Sequence, residues 1–100
     1  MKIDFKKEKE NIVIYLSGEL GNFEAKEIMH EAEAILAIYK HEDVVLDLSQ
    51  LTFMDSSGIA VIMKIFKNTK DSRDFTVRNT PSMAMKVFST TGILKFVKFA

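Results

Sequence analysis

The sequence contains no cysteine, and its 14 basic and 14 acidic residues leave no net charge. Without cysteine there are no disulfides, no thiolate chemistry and no cysteine-based zinc sites, as is common in a reducing compartment. Balanced charge provides no sequence-wide field that would attract nucleic acid or an anionic membrane. Apolar runs of signal-peptide length, or of the roughly 18 residues that span a membrane, are also absent. We therefore expect a cytoplasmic protein that neither enters a membrane nor binds nucleic acid directly.

Residues that commonly carry catalysis or hold cofactors are sparse. The four glycines are scattered, so a glycine-rich phosphate loop is missing. The two histidines, His30 and His41, are not spaced as a metal-ligand pair. An enzyme would need Ser56 as nucleophile, a histidine as base and Asp47 or Asp55 as orienter, but no G-x-S-x-G motif surrounds this serine. We expect no enzyme activity, no metal and no cofactor, and nucleotide binding is an alternative that the sequence does not favour.

The composition supports one globular domain over residues 1–100, because 47% of the residues are hydrophobic and can form a core. The first 17 residues predict two strands joined by a charged hairpin connection over residues 6–11. Apolar residues then recur at three- and four-residue steps from Ala25 to Tyr39. This spacing predicts an amphipathic helix, with Asn22 as its N-cap.

The rest of the chain alternates strands and helices. Asp43–Leu48 predicts a central strand, followed by a loop over residues 49–55 and then by a second helix. The remaining predicted elements are a strand at Phe75–Arg78, a third helix opened by Thr80 and Pro81 and stopped by Gly92, and a short strand from Leu94 onward. The predicted fold is a mixed α/β sheet with an opening hairpin, in the order β-β-α-β-α-β-α-β.

Four residues at the predicted start of the second helix form the most informative cluster: Asp55, Ser56, Ser57 and Gly58. The free N–H groups of a first helical turn and the positive end of the helix dipole favour an anion there. A phosphate on a serine in this cluster would add about −1.5 to −2 of charge to the surface. The alternative is that Asp55 or Ser56 merely caps the helix, although Ile59 stands where a capping box needs Glu or Gln.

Five consecutive apolar residues, Ile59–Met63, follow this cluster. Because a helix turns about 100° per residue, they cannot all face one core. The predicted buried stripe takes Ile59, Ile62, Met63 and Phe66. Ala60 and Val61 are then left exposed, as a dry contact for a partner beside Ser56. The alternative is that neighbouring loops cover both residues.

The segment VVLDLSQLTFMDSSGIAVIM resembles the STAS domain family, and within it the anti-sigma factor antagonists. Members of that group carry a strand, a short loop and a D-S-S-G-hydrophobic turn in this order. The resemblance extends to Leu16–Leu20, which is similar to the family's second strand and G-E-L turn, and to Thr91–Phe96, which is similar to its closing segment. It covers nearly the full chain and implies a STAS-like mixed sheet.

The resemblance also implies a protein switch. Antagonists of this type bind an anti-sigma factor that is also a serine kinase, displace its sigma factor, and are inactivated when the kinase phosphorylates them; a phosphatase resets them. The phosphoacceptor position falls on Ser56, with Asp55 and Ser57 beside it and Gly58 as the helix-start glycine. Many relatives have an acidic residue after G-E-L, where this chain has Gly-Asn, so Asn22 is a predicted partner contact that differs. The alternative is a STAS scaffold subunit of a transporter or signalling assembly, without regulated phosphorylation.

Overall fold

The computed structural model describes residues 1–100 and contains five strands, three α-helices and one short 3-10 helix. In chain order these are β1 Lys2–Glu8, β2 Asn11–Leu20, α1 Asn22–Ile38, β3 Asp43–Met54, α2 Ser57–Thr69, β4 Phe75–Arg78, α3 Ser82–Ser89, the 3-10 helix Gly92–Lys95 and β5 Lys98–Phe99. The predicted mixed α/β order is confirmed. None of the helices is both long enough and apolar enough to cross a bilayer.

The order of the strands in the sheet follows their order in the chain, β1-β2-β3-β4-β5. β1 and β2 form an antiparallel hairpin, and every later pairing is parallel. A helix connects each pair of parallel neighbours. Because right-handed crossovers that all step in one direction return to the same side, they place α1, α2 and α3 on one face of the sheet.

The three helices and one sheet face enclose a single core of 23 buried residues. Its strand members alternate along the chain, as in Ile12, Ile14 and Leu16 of β2 and Val44, Leu46 and Leu48 of β3. Residues between them, such as Tyr15 and Asp47, point to the opposite face, which carries no helix. The sheet therefore has one apolar face covered by helices and one mostly polar face without a helix, on which Val13 and Asp47 are nevertheless buried.

β3 continues through Met54, although residues 49–55 were predicted to form a loop. Its second half pairs with the Ser17–Leu20 end of β2, and Leu51 and Met54 are buried there. The pairing register shifts twice along this half, first after Tyr15 and again after Gly18. Such bulges break the apolar-polar alternation, which is why the sequence pattern resembles a loop.

Several other element ends differ from the prediction. β1 extends to Glu8, so the hairpin connection is shorter than residues 6–11. Pro81, with extended backbone, is the N-cap of α3, one position later than predicted. Leu94 lies in the 3-10 helix rather than in a strand, because buried Ile93 and its N–H bond to the Thr91 hydroxyl (3.3 Å) tighten the chain there.

Candidate functional site

α2 begins directly after Ser56, which is its N-cap and is exposed. The Ser56 side chain makes no capping hydrogen bond. The Asp55 carboxylate takes over that function, because its Oδ1 accepts the N–H of Ser57 at 2.8 Å. Ser56 is thus the N-cap by position but not through its side chain, and of the two residues in the capping alternative it is Asp55 whose side chain satisfies a first-turn amide. The Ser56 hydroxyl is left facing solvent.

The other amides of the first turn are also occupied. Gly58 N–H donates to the Asp55 carbonyl (3.0 Å), and Ile59 N–H donates to the Ser56 carbonyl (3.2 Å). The expectation that free N–H groups would receive a phosphate on Ser56 is therefore wrong for Ser57, Gly58 and Ile59. A phosphate there would keep the field of the helix dipole but would stand next to the Asp55 carboxylate, with its charge directed outward.

Gly58 is buried where α2 meets the ends of β2 and β3. A Cβ added at this position would lie 2.5 Å from Met54 Cγ and 3.2 Å from Leu20 Cδ2. Such distances are shorter than van der Waals contact, so only glycine permits this close packing. The glycine thereby seats the start of α2 against the two strands that lead to the site.

The start of α1 adjoins the start of α2. The Ser57 hydroxyl donates to Asn22 Oδ1 at 3.5 Å, which brings together two residues that are 35 positions apart. Asn22 is exposed and is the first residue of α1, but it is not the N-cap. Gly21 is the N-cap, and its N–H donates to Glu24 Oε1 at 3.0 Å. The predicted contact positions Asn22, Ser57 and Ser56 therefore share one edge of the molecule.

The two apolar residues of α2 that were predicted to be exposed, Ala60 and Val61, differ in their burial. Ala60 is exposed, but Val61 is fully buried, so the prediction for Val61 is wrong. The reason is the rotation of the helix: its buried residues are Gly58, Val61, Ile62, Ile65 and Thr69. The stripe is centred on the glycine side of the helix, which leaves Ile59 and Met63 only partly buried.

Two exposed aromatic side chains near the site were not among the predicted residues. Phe23 is 92% exposed beside Asn22, and Phe53 is 46% exposed just before the serine cluster. Phe53 Cε2 lies 3.9 Å from where a Gly21 Cβ would stand, so Phe53 lies against the start of α1. Phe23 falls outside the apolar periodicity that begins at Ala25, and this could have marked it as a surface aromatic.

Asp47, one of the two aspartates considered as an orienter for Ser56, is held in a network of hydrogen bonds. It is only 3% exposed, and its Oδ2 accepts from Arg78 Nε and Asn79 Nδ2, both at 2.9 Å. Its Oδ1 accepts the N–H of Ser49, which lies at the first bulge of β3, at 2.9 Å. Burial alone would raise the pKa of Asp47, but these hydrogen bonds favour the ionised form and lower the pKa to about 2. Asp47 thus fixes the path of β3 toward the site.

No serine, histidine and aspartate triad is assembled around Ser56. His41 precedes β3 and Ser56 follows it, so the 12-residue strand separates the two side chains. His30 is exposed about two turns along α1 from Asn22. No group of three or more His, Asp or Glu side chains is close enough to hold a metal ion.

The chain resembles known proteins over most of its length. The sequence model of the STAS domain matches residues 2–100. An anti-sigma F factor antagonist of Lysinibacillus sphaericus is 29% identical over 86 residues, which are 85% of this chain and 74% of that protein. One from Paenibacillus polymyxa is 30% identical over 67% of this chain, but this match spans only 57% of its own length.

Solved structures show the same fold. The antagonist from Mycobacterium paratuberculosis superposes with a TM-score of 0.88 over 98% of this chain and 83% of its own, at 19% identity. SpoIIAA in its unphosphorylated and phosphorylated forms gives a TM-score of 0.69 in both cases. These two matches cover 99% of this chain and 87% and 91% of SpoIIAA, at 22% and 23% identity. Since a match to the family model spans nearly every residue, the chain belongs to the STAS domain family.

Proposed function

We propose that this protein is a cytoplasmic anti-sigma factor antagonist, a regulatory switch rather than an enzyme. Unmodified, it binds an anti-sigma factor that is a serine kinase and thereby frees a sigma factor. Phosphorylation of Ser56 ends that binding, and a serine phosphatase restores it. The observation that carries this proposal is the exposed Ser56 hydroxyl, which is free of any capping bond because Asp55 satisfies the first-turn amide instead.

The surroundings of Ser56 explain how one phosphate would control binding. Exposed Phe23, Phe53 and Ala60 offer apolar area close to the serine, and such area gains most when a partner covers it and excludes water. A phosphate would place about −1.5 to −2 of charge at that contact, next to the Asp55 carboxylate and without an amide donor from the first turn. Burying an unpaired charge costs several kcal/mol, which corresponds to a few orders of magnitude in affinity.

The partner-binding surface in this proposal is built from Ser56 and its neighbours at the edge where α1 and α2 begin. Asp55 and Ser57 flank the acceptor, Gly58 seats the helix, and Asn22 holds the Ser57 hydroxyl. Ala60 lies one helical turn beyond the serine, on the same side. Val61 is excluded from the surface by its burial.

The test mixes the purified protein with a candidate anti-sigma factor kinase and ATP, followed by peptide mapping and by binding measurements with and without ATP. We expect one phosphate on Ser56, none on Ser56→Ala, and full labelling of the control Ser82→Ala, which changes an exposed serine outside this surface. Ser56→Asp should bind the kinase at least about tenfold more weakly, because it places a fixed charge at the contact. Label on another residue would overturn the assignment. Kinase binding that persists unchanged in Ser56→Asp would instead indicate a scaffold whose docking is not regulated by phosphorylation.

A further inference from the structure

The zero net charge of the chain conceals a strong separation of charge. Residues 1–50 contain six basic and eleven acidic side chains, a net charge of −5, and residues 51–100 contain eight basic and three acidic ones, a net charge of +5. Since the strands lie in the sheet in chain order, the two halves of the sequence occupy opposite sides of the molecule. One side, with α1, is therefore acidic, and the other, with α3 and β5, is basic.

The acidic side carries an exposed stripe along α1, formed by Glu27, Glu31, Ala34 and Ile38. Their spacing of four, three and four residues places them on one helix face. Ile38 is 72% exposed at the end of the stripe. Neither glutamate has a cation within ion-pair distance, although Lys2 lines the same surface groove as Glu27 and Glu31. We call this set the acidic stripe.

The basic side carries an exposed apolar cluster surrounded by lysines. Phe96 is 62% exposed and Leu94 is 42% exposed. Lys95 and Lys98 line a groove together with these two side chains, and Lys70 lines a second groove with Phe96 and Lys98. Asp74 is the one carboxylate in these grooves, and it pairs with Lys98 at 3.5 Å. We call the residues Lys70, Leu94, Lys95, Phe96 and Lys98 the basic patch.

We propose that the basic patch of one molecule docks on the acidic stripe of a second copy. The two surfaces are complementary in charge and in apolar contact: lysines face Glu27 and Glu31, and the exposed Phe96 ring packs on Ile38. Zero net charge removes the long-range repulsion that would keep like molecules apart. Because the two surfaces differ and lie on opposite sides, the contact runs head to tail and generates short chains of molecules.

This association is independent of the proposed switch. The 13 residues of α2 separate Ser56 from Lys70, a distance of about 20 Å along the helix axis. The acidic stripe begins one helical turn beyond Phe23 and includes none of Asn22, Asp55, Ser56, Ser57 and Ala60. Failure of one proposal therefore says nothing about the other.

The experiment is sedimentation velocity over a range of protein concentrations, at low and at high salt. The wild type should gain mass with concentration at low salt and return to monomer at high salt, since surface charges are screened there. Two double variants each remove one surface: Lys95→Glu with Lys98→Glu, and Glu27→Lys with Glu31→Lys. Each alone should be monomeric, with a dissociation constant raised at least tenfold. Mixed in equal amounts, they should associate again, because the intact acidic stripe of the first variant meets the intact basic patch of the second, and the two charge-reversed surfaces also complement each other.

A charge-matched control separates the patch from a general effect of net charge. Lys6→Glu with Lys64→Glu changes the net charge as much as the basic-patch variant does, at exposed positions outside both surfaces. This control should still associate. Any weakening of its association measures the effect of net charge alone. A wild type that is monomeric at every concentration in low salt overturns the proposal. So does a mixture of the two surface variants that stays monomeric, or wild-type association that one surface variant leaves unchanged.

Discussion

At the scale of single residues, Gly58 sets the rotation of α2. We expect Gly58→Ala to lower the free energy of unfolding by about 1–2 kcal/mol. The added methyl group would stand 2.5 Å from Met54 Cγ in a packed region, and overpacking of this kind costs about 1–3 kcal/mol. The better helix propensity of alanine recovers at most about 1 kcal/mol of that cost. Urea denaturation of both proteins measures the difference.

Gly92→Ala is the matched control for this substitution. An added Cβ at Gly92 would meet no atom nearer than Phe96 Cε2 at 4.0 Å, so its effect should stay within about 0.5 kcal/mol. If both variants unfold alike, Gly58 does not seat α2 by close contact.

Gly58 also explains why the rotation of α2 could not be predicted from the sequence. The periodicity of large apolar residues placed Ile59 and Met63 on the buried face. The face that is in fact buried includes Gly58, which has no side chain and therefore does not contribute to an apolar pattern.

At the scale of secondary structure, Arg73 fastens the end of α1 to the connection between α2 and β4. Its guanidinium donates to three backbone carbonyls: Leu36 (3.2 Å) in the last turn of α1, the C-cap Tyr39, and Glu42 (3.3 Å) in the connection to β3. The last carbonyls of a helix have no partner within it, and a cation there also matches the helix dipole. The side chain thus replaces a C-terminal cap over a separation of more than 30 residues.

Arg73→Met should therefore destabilise the fold by about 2 kcal/mol, because several charge-assisted hydrogen bonds are lost at once. Arg73→Lys should recover only part of that, since one ammonium group cannot match the planar fork of arginine. Hydrogen exchange of the amides in the last turn of α1 should accelerate in Arg73→Met. Lys64→Met, at an exposed position on α2 without an ion pair, should change neither quantity. An equal loss in both variants would show that Arg73 acts only through general charge.

Some features of the strands and helices depend on local sequence and others on contacts between distant residues, and only the local ones could be predicted from the sequence. The order of strands and helices follows from apolar periodicity, which is a local property of the sequence, and it was predicted. The second half of β3 was not, because its two bulges depend on pairing with β2 and on the Asp47 carboxylate that holds the Ser49 amide. The serine cluster was identified from the sequence, but the occupation of its amides by Asp55 and Ser56 oxygens is visible only in three dimensions.

At the scale of the whole molecule, one polar network connects the uncovered face of the sheet. The Asp47 carboxylate of β3 binds Arg78 of β4, which also donates to the Tyr15 hydroxyl of β2 at 3.5 Å. Tyr15 in turn donates to Glu8 of β1 at 3.4 Å. Four of the five strands are thereby joined through side chains on the face that no helix covers. The charge at the centre of this network should govern how the stability of the entire domain depends on pH.

The Asp47 pKa of about 2 lies below its ordinary value of 3.8, so the folded state holds the ionised carboxylate more tightly than the unfolded chain does. A lowered pKa stabilises the fold above pH 3.8, and this stabilisation, about 2 kcal/mol, should disappear as the pH falls from about 5 toward 2. Asp47→Asn should lose that amount at pH 7 and approach the wild type near pH 2. Urea unfolding at several pH values measures the gap, with exposed Asp71→Asn as the control that should follow the wild type throughout. If the difference in the free energy of unfolding stays constant with pH, Asp47 stabilises the fold through packing and not through its charge.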